Sequence, residues 1–163
     1  MNEEAITDAL KMMPYGFYSI TSKAGDKVNA MVANWITQVS FEPRLIALAL
    51  QKTSFTHSLV DQERVFAINI FRSEDVERIK PYSKSRTKNP EKMAEAQFEP
   101  GPETGCPVLD GAAAVIEFKV VKIVDIGGDH DIVVGEPLDA QVFSAGEPAE
   151  SLTLMDLGWS YAG

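Results

Sequence analysis

The chain has 163 residues, of which 45% are hydrophobic, and its 15 basic and 24 acidic residues give a formal net charge of −9. This length suits one domain with a substantial core, which we expect to span residues 1–163. The acidic balance argues against a nucleic-acid partner, and no apolar run reaches the roughly 18 residues of a membrane span. Because the N-terminus also lacks the pattern of a signal peptide, we expect a cytoplasmic protein.

Hydrophobic periodicity predicts a mainly β chain with peripheral helices. In chain order we predict a helix over 3–13, strands over 16–21, 28–41 and 45–50, a helix over 54–62, a strand over 65–71, helices beginning at 73 and 89, a loop over 99–107, and strands over 112–126 and 131–143. This order lacks regular β-α-β alternation. It therefore favours a small antiparallel, Greek-key-like barrel over a doubly wound parallel sheet.

Three polar or reactive residues interrupt apolar runs. Thr37 falls on the apolar phase of its strand, so its hydroxyl is expected to have a buried partner. Asn69 lies within a buried strand and is interpreted as structural, because a buried amide must be satisfied. Cys106 is the single cysteine and is predicted to be a small buried residue. With only His57 and His130 beside it as nitrogen ligands, no metal site is expected.

The order and spacing of several short motifs identify a family. The motifs lie at residues 13–16, 34–43, 52–58, 66–70, 128–130 and 134–136. The chain resembles the flavin reductase-like family of FMN-binding split β-barrels, on the side of the flavoredoxins. Gly128-Asp129-His130 is the most specific of the motifs. The resemblance covers nearly the whole chain and implies an FMN-binding split β-barrel.

The segment after the third predicted strand combines a cation, hydroxyls and a helix N-terminus. Helix N-termini expose unpaired N–H groups, which suit a phosphate group, although an ordinary capped helix has the same local chemistry. The resemblance favours the phosphate cradle. The residues that it implies are Lys52, Thr53, Ser54, Thr56 and His57.

The strand over 34–40 is implied by the resemblance to lie along the flavin ring. A flavin ring needs polar contacts on one edge and apolar packing on the other. Asn34, Thr37 and Ser40 are candidates for the polar contacts, and Ile36 belongs to the same strand. Trp35 either packs on the ring or is an ordinary core residue.

His130 is the candidate for the reaction centre. The two glycines before it allow a tight turn and the close approach of another molecule. The resemblance implies that His130 lies beside the open face of the flavin, where nicotinamide would stack. Its role there would be positioning, because hydride moves directly between the rings. Asp129 would fix the imidazole or close the turn. The alternative is a hairpin turn with an exposed histidine.

Two further features were left open by the sequence. The basic stretch over 80–88 is either a solvated loop or a mobile segment that meets a nicotinamide dinucleotide or the flavin phosphate. Trp159 and Tyr161 near the end of the chain are expected to need burial, and a dimer partner is one place to find it.

The resemblance implies a homodimeric FMN-binding oxidoreductase, with FAD as a possible cofactor. It would take hydride from NAD(P)H and pass electrons to free flavin, iron or a protein acceptor. An alternative is an electron-transfer module that holds FMN but has little NAD(P)H activity of its own. A third hypothesis is a split barrel that binds haem through His57 or His130.

Overall fold

The structure, a computed structural model, describes residues 2–160. Its helices are α1 (Glu3–Lys11), α2 (Phe55–Glu63), α3 (Val76–Ile79) and α4 (Lys92–Glu95). Its strands are β1 (Tyr18–Ala24), β2 (Lys27–Ala33), β3 (Ile36–Phe41), β4 (Arg44–Gln51), β5 (Val65–Ile70), β6 (Phe98–Pro100), β7 (Pro107–Leu109), β8 (Ala114–Asp125) and β9 (His130–Val142). The predicted mainly β architecture with peripheral helices is confirmed. Within the described range, no helix is long and apolar enough to cross a membrane.

Seven of the strands form one antiparallel sheet in the order β2-β1-β5-β8-β9-β4-β3. Its two edge strands, β2 and β3, are consecutive in the chain and are joined only by Asn34 and Trp35. The sheet must therefore curl until its edges meet at this joint. The carbonyl of Trp35 accepts a hydrogen bond from the backbone N–H of Ala49 at 3.0 Å, which holds the joint against β4.

The predicted single strand over 28–41 is wrong. The chain breaks at Asn34 and Trp35, and the two halves lie at opposite edges of the sheet. Thr37 is exposed on the edge strand β3, and its hydroxyl donates to the carbonyl of Gln38 at 3.3 Å. The expected buried partner of Thr37 is therefore not found, because the apolar phase of β3 is not covered within this chain.

The predicted loop over 99–107 contains a small second sheet. Strands β6 and β7 pair antiparallel, with Phe98 opposite Leu109. The buried amide of Asn69 fixes this hairpin to the main sheet. Its Nδ2 donates to Thr21 Oγ1 at 3.2 Å and to the carbonyl of Pro107 at 3.3 Å, and its Oδ1 accepts from the Leu109 N–H at 2.8 Å. The structural role predicted for Asn69 is confirmed.

The main core lies between the curled sheet and α2. The rings of Phe66 and Phe118 stack with their centroids 4.9 Å apart, and both side chains are buried. Burial of such a side chain stabilises the fold by about 1.5–3 kcal/mol. Gly135 lies against this pair, and a Cβ atom there would be 2.6 Å from Phe66 Cζ. The glycine of the motif at 134–136 is therefore required by packing.

Cys106 is fully buried, as predicted, and burial raises the pKa of its thiol to about 11. Trp159 packs edge-on against Phe17, with the ring centroids 5.8 Å apart, but remains 40% exposed. Tyr161, which was also predicted to need burial, lies outside the described residues.

Candidate functional site

Two residues from distant parts of the chain, Trp35 and His130, meet at one end of the sheet. Their ring centroids are 5.1 Å apart and the rings are inclined at 65°. His130 opens β9 opposite Gln51, and its Nδ1 lies 2.8 Å from Asp129 Oδ1. This hydrogen bond lowers the pKa of the Asp129 carboxyl. Of the two roles considered for Asp129, fixing the imidazole or closing the turn, this contact agrees with the first. The imidazole packs against an indole that is 36% exposed and so is not an ordinary core residue.

Asn34, beside Trp35, has an unusual side chain. Its Nδ2 is buried and makes no hydrogen bond to any residue within 2–160. Such a donor costs about 1–3 kcal/mol when it is left unsatisfied. On the edge strand β3 that follows, Ile36 packs against the main core, Ser40 is half-buried and Thr37 is exposed. The polar feature at this joint is therefore the Asn34 amide.

A second polar region lies at the start of α2. Ser54 is the N-cap of the helix, and its Oγ accepts from the His57 N–H at 3.1 Å. A cavity of about 380 Å³ adjoins this helix end. Its lining includes Asn29, Met31, Gln51, Thr53, Ser54, Thr56, Lys84, Arg86 and Lys92. Three predicted cradle residues, Thr53, Ser54 and Thr56, are thus brought together with part of the basic stretch.

The basic stretch packs against the body of the protein. The guanidinium of Arg86 lies 4.5 Å from the Phe55 ring centroid and donates to the carbonyl of Val28 at 3.3 Å. Lys92 Nζ donates to the carbonyl of Lys84 at 2.9 Å. Lys92 is only 3% exposed, and this burial, together with the nearby charge of Arg86, lowers its pKa to about 8. Arg86 and Lys92 therefore form a held cationic wall beside the cavity.

Asn29 supplies the floor of this cavity. Its Nδ2 donates to Thr56 Oγ1 at 2.9 Å, and its Oδ1 is buried without a partner in the described part of the chain. Sequence reasoning missed Asn29 and Lys92. The available signal was a polar residue within the apolar strand β2 for Asn29. No sequence pattern distinguishes Lys92 from the solvated lysines near it.

Lys52 and His57 point away from this cavity. Lys52 Nζ lies 2.6 Å from Asp125 Oδ1 and 3.7 Å from Asp131 Oδ1, and the hydrogen bond with Asp125 raises its pKa. His57 Nε2 lies 2.7 Å from Asp131 Oδ2. Both side chains are thus engaged by carboxylates of the β8–β9 hairpin. This arrangement also occupies the His57 nitrogen that an axial haem ligand would use.

The cavity and the Trp35–His130 pair lie close together in the sheet. Gln51 lines the cavity and is also the register partner of His130. A larger cavity of about 850 Å³ lies between the β6–β7 hairpin and the ends of β8 and β9. Its charged lining residues are the acids Glu99 and Asp110, with no cation. An anionic ligand is therefore favoured at the smaller site, whose volume lies within the ~300–1,000 Å³ of small-molecule pockets.

The cavity and the neighbouring Trp35–His130 pair have polar groups that suit a flavin nucleotide. The cations and the α2 N-terminus suit a phosphate, and the two unpartnered amide atoms suit the hydroxyl and carbonyl groups of such a ligand. The family model described as "Flavin reductase like domain" matches residues 10–161. The chain belongs to this flavin reductase-like family. The matched range includes the residues that line the cavity and the Trp35–His130 pair.

Relatives of known name support this assignment. The ferric-chelate reductase (NAD(P)H) of Archaeoglobus fulgidus is 34% identical over 91% of this chain and 86% of its own. The high molecular weight rubredoxin of Moorella thermoacetica is 33% identical over 87% of this chain, which spans only 62% of that longer protein. The solved NADH:FAD oxidoreductase of Streptomyces globisporus superposes with a TM-score of 0.77 over 90% of this chain and 86% of its own, at 24% identity. That structural likeness shows the flavin reductase-like fold.

Proposed function

We propose that residues 1–163 form one FMN-binding domain that acts as an NAD(P)H-dependent flavin reductase, with FAD as a possible alternative cofactor. When bound, the flavin would accept hydride from the nicotinamide and pass electrons to free flavin, iron or a protein acceptor. The relatives named ferric-chelate reductase and NADPH-flavin oxidoreductase support this reaction class.

One observation carries the proposal. Two buried amide atoms have no partner in the described chain: Asn29 Oδ1, in the cavity lined by Arg86 and Lys92, and Asn34 Nδ2, next to the Trp35 that contacts His130. A flavin mononucleotide has ribityl hydroxyls to donate to Asn29 and ring carbonyls to accept from Asn34. Its phosphate matches the cationic end. The cavity and the neighbouring Trp35–His130 pair therefore offer the types of polar group that match this ligand.

The residues that line the cavity and the Trp35–His130 pair would bind and orient the ligand. Arg86 and Lys92 offset the phosphate charge, and Thr53 and Ser54 add hydroxyls beside the α2 N-terminus. Trp35 and His130 form a wall that excludes water from one side of the ring and gives the nicotinamide a defined position. Asp129 keeps the His130 ring in its orientation. The roles of Thr37, Ser40, Lys52 and His57 as direct flavin contacts stay predictions.

A ligand series tests the phosphate end of this site. Apoprotein titrated with FMN, FAD and riboflavin, followed by the quenching of flavin fluorescence, gives three dissociation constants. We expect FMN to bind at least about tenfold more tightly than riboflavin, because only FMN carries the phosphate that the cationic wall holds. Equal affinity for FMN and riboflavin would contradict the phosphate cradle. No binding of any flavin would contradict the proposed function.

We also propose a homodimer and a cytoplasmic location. Phe41 on β3 is 87% exposed, and Val39, Leu138 and Val142 are exposed on β3 and β9. Exposed apolar residues in such a group are typical of an interaction surface. A cytoplasmic location agrees with a single buried cysteine and with the reduced nucleotide that the reaction needs.

The second candidate is an electron-transfer module that holds FMN and receives its electrons from a protein. The relative named high molecular weight rubredoxin and the two relatives named putative diflavin flavoproteins favour it. This candidate predicts the same flavin binding but no oxidation of NADH or NADPH at a useful rate. Steady-state nucleotide oxidation therefore separates the two candidates.

A further inference from the structure

A charged cluster lies behind the turn that carries His130. His57 Nε2 is 2.7 Å from Asp131 Oδ2, and the two side chains are only 15% and 12% exposed. Lys52 Nζ bridges Asp131 Oδ1 at 3.7 Å and Asp125 Oδ1 at 2.6 Å. Apart from this ion pair, Asp131 Oδ1 has no hydrogen-bond partner within residues 2–160. The cluster therefore links α2 and the end of β4 to both strands of the β8–β9 hairpin.

The same cluster fixes the turn at both ends. Asp125 Oδ1 accepts from the Gly127 N–H at 2.7 Å, and the backbone N–H of Lys52 donates to the carbonyl of Asp129 at 3.0 Å. Gly127 has a φ of +82°, and neither Gly127 nor Gly128 has an atom within 4 Å of the position that its Cβ would take. Packing does not hold this glycine turn in place. Hydrogen bonds and ion pairs do.

Because Asp131 and His130 are adjacent in β9, anchoring of Asp131 also fixes the position of His130. Successive side chains of a strand point to opposite faces, so Asp131 faces α2 while His130 faces Trp35. A shift of Asp131 moves the His130 backbone with it, because the two residues share a peptide bond. An imidazole displaced by about 1 Å would no longer define the position of a nicotinamide ring.

We propose that His57 and Asp131 are positioning residues, which hold the β8–β9 turn so that His130 stands against Trp35 at the nicotinamide side of the flavin site. The expected effect on NAD(P)H oxidation rests on the proposed function. The expected effect on the position of His130 does not. The structural consequence is a fixed His130–Trp35 contact in the protein without flavin.

Tryptophan fluorescence tests the structural consequence in the apoprotein. A Trp159→Phe background leaves Trp35 as the only tryptophan, and imidazole in ring contact shortens its emission lifetime. His130→Ala defines the lifetime without this contact. We expect His57→Leu to move the lifetime at least half of the way to the His130→Ala value, and His57→Gln to restore it, because a glutamine amide can still donate to Asp131.

Matched variants keep this test decisive. Asp61→Asn removes another ion pair of α2, at 3.2 Å from Arg64, and should leave the lifetime unchanged. Asp131→Leu has a side chain of similar size but removes the acceptor of His57, and it serves if His57→Leu does not fold. An unchanged Trp35 lifetime in the folded His57→Leu or Asp131→Leu protein would overturn the proposal.

A double-mutant cycle tests the kinetic consequence in the FMN-loaded protein. We expect His57→Leu to lower kcat/KM for NADH or NADPH about tenfold when His130 is present, but less than about twofold in a His130→Ala background. Additive effects would show that His57 acts independently of His130 and would overturn the assignment. If the wild-type protein does not oxidise NAD(P)H, the proposed function fails, and the apoprotein lifetimes still decide the positioning role.

Discussion

At the scale of single residues, the unpaired side-chain amides of Asn29 and Asn34 are the strongest indication of a ligand. Folded proteins satisfy nearly all of their buried polar groups, so an orphaned atom calls for an explanation. Asn29 Oδ1 lines the cavity and Asn34 Nδ2 lies beside Trp35, and the two atoms suit the hydroxyl and carbonyl groups of the flavin proposed above. The proposed function predicts that their cost in the free protein is offset when flavin binds.

Replacement of Asn34 separates binding from stability. We expect Asn34→Ala to weaken FMN binding about tenfold, which corresponds to the loss of one hydrogen bond of about 1.4 kcal/mol. The melting temperature of the apoprotein should not fall, because the Nδ2 atom has no partner in the described chain. Titration calorimetry and thermal melts measure the two quantities. Gln38→Ala, at an exposed position on the adjoining strand β3, is the control and should change neither.

The buried ammonium of Lys92 predicts a dependence of FMN affinity on pH. Burial lowers its pKa to about 8, so its charge is present below that pH and is lost as the pH rises above it. The protonated form binds the phosphate better, and phosphate in turn favours the protonated form. FMN affinity should therefore fall between about pH 8 and pH 10, by no more than about tenfold per pH unit for one coupled proton.

The charge of Lys92 is tested by its removal. Lys92→Met should weaken FMN binding at pH 7 and abolish most of its decline above pH 8. Lys80→Met is the control, because Lys80 pairs with Glu77 and does not line the cavity. A decline that persists unchanged in Lys92→Met would assign it to another group.

At the scale of elements, local signals predicted the structure well. The helices that begin near residues 3 and 54 were readable because their caps, Asn2 and Ser54, depend on residues within one turn. The break at Asn34 and Trp35 was not readable, because the apolar alternation continues through it. Only the closure of the sheet, with β2 and β3 at opposite edges, separates the two strands. The β6–β7 hairpin was hidden for the same reason, since it depends on Asn69 from another strand.

Asn69 should be an important stabilising residue of the fold. Asn69→Ala removes the acceptor of the Leu109 N–H and leaves buried polar groups on two strands, β1 and β7, with fewer partners. We expect the free energy of unfolding to fall by about 2–4 kcal/mol. Urea denaturation measures this loss, with Gln62→Ala on the exposed side of α2 as the control. A loss below about 1 kcal/mol would mean that the hairpin is held by other contacts.

At the scale of the whole molecule, the exposed apolar strand β3 predicts self-association. The edge strand was expected to be buried, and in one copy of the chain it is not: Phe41 is 87% exposed. Phe41→Lys should convert a dimer into a monomer in sedimentation velocity. Val121→Lys, at an exposed apolar position on β8, should leave the dimer intact. A wild-type protein that sediments as a monomer at micromolar concentration would contradict the proposed homodimer.

The site was only partly predictable from the sequence, because some of its contacts join residues that are far apart in the chain. The motif containing His130 and the joint containing Trp35 were recognised, and the structure brings them within ring contact. Lys52 and His57 were assigned to the phosphate because their neighbours suggested it. Their carboxylate partners, Asp125 and Asp131, lie more than seventy residues further along the chain. Such partners become visible only when the sheet is assembled.

The most direct test of the proposed function is the visible absorbance spectrum of the FMN-loaded protein, recorded anaerobically before and after addition of NADH and, separately, of NADPH. The proposed flavin reductase predicts that the flavin absorbance bleaches within seconds with at least one nucleotide and that His130→Ala slows this bleaching. A flavin spectrum that persists with both nucleotides would contradict the reductase and favour a module reduced by a protein donor.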